Sequence, residues 1–162
     1  MSNITPASAG AAPAHVDVRG PRFGAWVSTV VLVAVLLLSA VSGVAAAALL
    51  AAQSVVFALG AALGPRRQPY GLVFAKLVAP RLGPVTEREP VAPLRFAQLV
   101  GFVFAAVGVL GFAGGVTLLG SVATGFALVA AFLNAAFAIC LGCQIYPLAA
   151  RLRPKSRVST TA

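Results

Sequence analysis

Two long stretches of the chain carry no charge, and everything ionisable is gathered around them. Apolar residues run from Phe23 through Pro65, and again from Phe96 through Ala150, without one Asp, Glu, Lys or Arg. One crossing of a bilayer's hydrocarbon core takes roughly 20 apolar residues in a helix. Each stretch holds about two such lengths, which predicts four membrane-spanning helices in two hairpins.

The first stretch must fold back near its middle, where Ser39, Ser42 and Gly43 form a turn-tolerant cluster. Helices are predicted over 23–41 and 45–64. The second stops at Gly64-Pro65, because proline cannot continue a helix and restricts the residue before it. In the second stretch Gly114-Gly115 marks the turn between helices over 96–114 and 118–147, the last ending at Pro147. The expected fold class is all-α: an integral membrane four-helix bundle over residues 21–150, with a connecting loop over 65–95.

Inside that loop Tyr70, Val73, Phe74 and Leu77 recur at helical spacing, with Lys76 beside them and Pro69 and Pro80 as bounds. This piece reads as a short amphipathic helix lying at the membrane interface. Residues 83–93, with Pro84, Pro90 and Pro93, read as an extended linker. Residues 1–20 are rich in Ala, Pro and Ser without periodicity and read as a disordered tail. Residues 151–162 form a basic tail.

Composition agrees. Of 162 residues, 60% are hydrophobic and 9% charged, against about 25% charged in soluble domains, so a water-facing surface is excluded. Arg19 and Arg22 before an apolar run could suggest a cleaved signal peptide, but such cores span only about 7–15 residues. A retained first helix is the better reading.

The net charge of +9 would suggest nucleic acid in a soluble protein. Here the basic residues flank apolar spans, where they set topology and meet anionic headgroups. No nucleic-acid partner is expected. Two arginines precede the first helix, six basic residues lie between the second and third, and four follow the last. Four spans put all 12 on one side, while both short turns are uncharged. By the positive-inside rule that side is cytoplasmic, with both termini, and the membrane is the cell's plasma membrane.

Acid–base chemistry has little to work with. The acids are Asp17, Glu87 and Glu89, all outside the spans, and the lone His15 sits in the N-terminal tail. A carboxylate-driven proton pump and a Ser-His-Asp hydrolase are thereby excluded. Gln53 and Asn134 fall near the middles of the second and fourth helices, which run in the same direction. They could bond each other as packing glue, at about 0.6 kcal/mol, or contact a solute. Gly60 with Gly64, and Gly111 with Gly115, have the spacing that allows close helix approach.

The most pointed feature is Cys140-Leu141-Gly142-Cys143, which holds both cysteines of the chain. At i and i+3 of a helix the thiols share a face, with Cα atoms roughly 5 Å apart, within reach of a disulfide. Such a pair could exchange electrons or sulfur, bind a soft metal, or simply pack. If it lies toward the C-terminus of the fourth helix, dipole and apolar surroundings both disfavour the thiolate. Two thiolates also leave a zinc site short of ligands, so no metal is assigned, and no cofactor motif is present. On the reducing cytoplasmic side a standing disulfide is not expected.

The segments from Val16 to Phe23, Gln68-Pro69-Tyr70-Gly71, Pro80-Arg81-Leu82-Gly83-Pro84, Arg95-Phe96-Ala97-Gln98, and Phe132 to Phe137 with the cysteine pair resemble a known family. That family is a bacterial membrane family, typical of actinobacteria, catalogued as domain of unknown function 4395. The resemblance covers about residues 16–150. It implies a four-helix membrane protein without assigned activity, often encoded near thioredoxin-like or rhodanese-type proteins. It singles out Asp17, Arg19, Arg22, Asn134, Cys140 and Cys143.

Three functions remain open from the sequence. In the first, Cys140 and Cys143 form a cytoplasmic dithiol that passes electrons or sulfane sulfur to a soluble thioredoxin-like or rhodanese-type partner. Arg66, Arg67 and Arg81 would attract an acidic partner or an anion there. In the second, the chain is a small transporter or channel-like subunit with Gln53 and Asn134 along its path. In the third, it anchors a partner. Four thin, Ala-rich helices enclose little volume, so a homodimer is also entertained.

Overall fold

The computed structural model describes residues 15–151. The basic residues Arg153, Lys155 and Arg157 and the first fourteen residues of the N-terminal tail lie outside them. A short strand β1 (His15–Asp17) leads into helices α1 (Arg19–Ser39) and α2 (Gly43–Leu63). A helical connector follows as α3 (Pro69–Val73), a π-helical turn (Phe74–Val78) and a 3₁₀ turn (Ala79–Arg81). Strand β2 (Arg88–Pro90) then precedes α4 (Val91–Ala113), α5 (Thr117–Phe137) and a short α6 (Leu141–Arg151).

Helices α1, α2, α4 and α5 are the four long apolar ones, at 21 to 23 residues each. At 1.5 Å per residue that is about 32–35 Å, enough for a hydrocarbon core of roughly 30 Å. The most extensive packing is between α2 and α4, followed equally by α1 with α5 and α4 with α5. The core is Leu32 and Val35 of α1, Ala46, Leu50 and Phe57 of α2, Ala105 and Phe112 of α4, and Ala127 of α5. Large apolar side chains also point outward on every span, among them Val30, Leu37, Val55, Val103, Leu118 and Phe126. Water would penalise that surface, and lipid does not. The chain is a membrane protein, an all-α bundle of two hairpins.

The hairpin turns are built from local chemistry. Ser42 caps α2, its Oγ accepting from the Ala45 N–H at 3.3 Å. Between α4 and α5, Gly115 adopts φ 75°, where a side chain is disfavoured. Gly115 makes no close helix contact, whereas Gly111 does. It meets Gly120 of α5, and a β-carbon at 111 would stand 2.5 Å from the Gly120 nitrogen.

At the other end the chain is more ordered than the sequence suggested. The expected tail over 1–20 gives way at His15 to β1, which pairs antiparallel with β2, Val16 opposite Glu89. Helix α1 starts at Arg19 rather than 23, because the Asp17 carboxylate accepts from the Arg19 N–H at 3.0 Å. Helix α4 starts at Val91 rather than 96, absorbing the end of the expected linker; Pro93 is harmless in a first turn, where the N–H has no partner anyway. The 69–81 connector is helical, as its periodicity predicts, but its apolar stripe divides. Phe74 is buried against Phe23, ring centroids 5.9 Å apart, while Leu72, Val73 and Leu77 face outward.

The fourth helix is broken. Instead of one helix over 118–147, α5 stops at Phe137 and α6 starts at Leu141. Ala138 takes a left-handed conformation, φ 56°, and the Ile139 N–H closes the end on the Leu133 carbonyl at 3.2 Å. Pro147 lies inside α6 rather than ending it.

Candidate functional site

The break relocates the cysteines. Cys140 precedes α6, and its Sγ accepts from the Cys143 N–H at 3.3 Å, a helix-capping contact made by sulfur. The Gln144 N–H bonds the Cys140 carbonyl at 3.1 Å and closes the first turn. The pair therefore opens a helix N-terminus. The sequence reading had it near a C-terminus, and the sign of the helix-dipole effect reverses with the correction. Here unpaired N–H groups favour anionic sulfur. Cys140 and Cys143 are joined as a disulfide in the structure, Cα atoms 5.2 Å apart, where the sequence reading expected none standing.

Cys140 also lines a cavity of about 260 Å³ set into the charged end of the bundle. Ser28 of α1, Phe57 of α2, Gln98 and Phe104 of α4, Phe126 and Asn134 of α5, and Gly142 and Ile145 of α6 share its wall. Asn134 and Cys140, both singled out in the sequence, are thus brought together. Gln98 was missed. Its Oε1 is buried with no hydrogen-bond partner, an expensive condition in an apolar interior. A signal was available, since Gln98 is one of the few polar side chains in the second apolar stretch.

Gln53 does not meet Asn134 and does not line the cavity. It is 2% exposed, and its Nε2 donates to Ser28 Oγ at 3.1 Å while its Oε1 accepts from the Tyr70 hydroxyl at 2.6 Å. Tyr70 comes from the connector, so this chain of bonds ties α2 to α1 and to the connector. Burial pushes the Tyr70 phenol above its ordinary pKa. Gln68, also missed by sequence reading, is buried beside it, its Oε1 unpartnered like that of Gln98. Both glutamine oxygens lie over Gly60, where any β-carbon would collide with them.

Most of the arginines hold the fold together. Arg19 clasps Asp17, with Nη2 at 2.8 Å from Oδ2, and donates through Nη1 to the Gly83 carbonyl at 3.1 Å. This guanidinium holds the Asp17 carboxyl below its usual range. Arg22 donates to the Ala135 carbonyl near the end of α5 at 3.3 Å, and Arg66 to the His15 carbonyl at 3.2 Å. Arg81 donates to the Leu77 carbonyl within its own turn. Arg95 reaches the Ala61 and Ala62 carbonyls at 2.7 and 2.6 Å, closing the end of α2. Arg67 is exposed. Among the described residues no three His, Cys, Asp or Glu side chains converge, so a metal at the cysteines would find two donors.

Four apolar helices with all described charges at one end define a multi-pass membrane protein, and its cysteine pair opens a helix beside a cavity. The chain belongs to the family described as Domain of unknown function (DUF4395), whose model matches residues 16–151. No curated protein matches it, and no solved structure does.

Proposed function

We propose that the protein carries out thiol–disulfide exchange through Cys140 and Cys143 with a soluble, thioredoxin-like dithiol partner. One observation carries this reading: the Cys143 N–H on the Cys140 sulfur at the opening turn of α6. Reactive dithiols need that setting, because the N-terminal dipole stabilises the thiolate that does the chemistry. In the exchange a partner thiolate attacks one sulfur of the pair. The S–S bond breaks as a mixed disulfide forms, and the partner's second thiol resolves it. The partner leaves oxidised, and the pair holds two electrons and two protons as thiols.

The positive-inside rule makes the charged end cytoplasmic in the plasma membrane, within reach of such a partner. The outward Leu72, Val73 and Leu77 of the connector suit a membrane interface.

Thiol alkylation on sealed vesicles tests both statements. A membrane-impermeant maleimide added on the charged side should label the pair after dithiothreitol treatment and not after oxidation. Cysteines that never react, with or without reductant, would sink the exchange reading.

A further inference from the structure

We infer that the cavity beside Cys140 binds a lipid-soluble quinone, which takes the two electrons of the reduced Cys140–Cys143 pair. The inference rests on the thiol-exchange reading above and names the second substrate of the same site.

Four observations converge. A dithiol that is reduced on one side must pass its electrons to a two-electron acceptor, and quinones accept electrons from protein dithiols. Cys140 is part of the cavity wall, which puts the pair beside any ligand held there. The walls are apolar and aromatic, with Phe104 and Phe126 stacked at 5.7 Å, and Phe126 and Ile145 reach the outer surface at 60% and 52% exposure. A ligand dissolved in the bilayer can enter there. At about 260 Å³ the space lies just below the usual range for ligand pockets. That is room for one ring, with its isoprenoid tail left in lipid.

The polar groups in the wall match a ring that changes from two carbonyls to two hydroxyls. Asn134 carries two amide donors for a quinone oxygen. Ser28 accepts from Gln53 through Oγ, which leaves its own O–H to donate. Gln98 adds a further polar side chain to the wall. The step balances. Two S–H bonds break, one S–S bond forms between Cys140 and Cys143, and the two electrons and two protons turn the quinone into its hydroquinone.

The full chain, reduced with dithiothreitol, desalted and reconstituted in phosphatidylcholine vesicles, should convert added decylubiquinone to the hydroquinone. The absorbance change should correspond to one ring per chain. Cys140→Ser should abolish it. Ala130 of α5 also lines the cavity, and Ala130→Phe, which fills it, should abolish the conversion while both cysteines still cycle between alkylatable and protected forms with dithiothreitol and oxidant. A thermal melt of Ala130→Phe in detergent that matches the parent chain shows that the variant has folded. A reduced chain that cycles normally yet leaves the quinone untouched overturns the inference and leaves thiol exchange standing. Equal quinone reduction by Ala130→Phe overturns it too, because the electrons would then leave by another route. Cysteines that never cycle overturn both readings together.

Discussion

Gly142 is pressed against Ala97: a β-carbon on residue 142 would stand 2.6 Å from the Ala97 Cα. This backbone contact seats α6 on the start of α4 and holds the cysteine pair at the cavity. The edge-on Phe96–Tyr146 pair, ring centroids 5.9 Å apart, supports it one turn on. Gly142→Val should force α6 away from α4, at a cost of about 1–3 kcal/mol for an overpacked contact. Thermal melts in detergent would show the loss, and Cys140 and Cys143 should alkylate faster once the helix is unseated.

Arg95 ties the two hairpins together by bonding the last carbonyls of α2. Arg95→Ala should lower stability by about 1 kcal/mol, the scale of a cation at a helix C-terminus. Arg95→Lys should recover only part of it, since an ammonium cannot hold two carbonyls in a planar fork. Melting temperatures of the three proteins at low and high salt would check this, with the difference shrinking as salt rises.

Asp17 and Glu89 should give opposing pH dependences. The Asp17 carboxyl is held low chiefly by its hydrogen bond to Arg19. Its contribution is full above about pH 4 and is lost as pH falls through the lowered folded value. Burial raises Glu89, with Glu87 nearby adding to it. Its contribution is full below about pH 4 and is lost as pH rises through the raised value. Asp17→Asn should therefore lower the melting temperature near neutrality and leave it almost unchanged in acid. Glu89→Gln should raise it near neutrality. Trp26 fluorescence melts across that range would decide. A uniform shift at every pH would contradict the assignment.

Tyr70→Phe removes the donor to Gln53 and strands a buried amide oxygen. The expected cost is about 1 kcal/mol, between the average bond in a membrane bundle and the penalty for an unmet buried acceptor. Tyr146→Phe is the control, for its ring packs on Phe96 and keeps its place without the hydroxyl. Equal melting temperatures for the two variants would count against the Ser28–Gln53–Tyr70 tie.

The number of spans, the two hairpins and the clustering of charge at one end were readable from the chain, because each depends on composition over whole segments. An uncharged run of fixed length has few ways to cross a bilayer, and Ser42 and Gly115 are locally suited to turns. Tertiary structure decided where the cysteines sit. Nothing at Phe137-Ala138-Ile139 marks a helix end, and the one available sign was length, since 118–147 is longer than a single crossing requires. The left-handed Ala138 costs about 1–2 kcal/mol in itself and persists because α6 finds its seat on α4, Gly142 against Ala97. The meeting of Ser28, Gln98, Asn134 and Cys140 around one cavity follows from that packing. Those residues come from three helices and the break before α6, and no spacing along the chain encodes their approach.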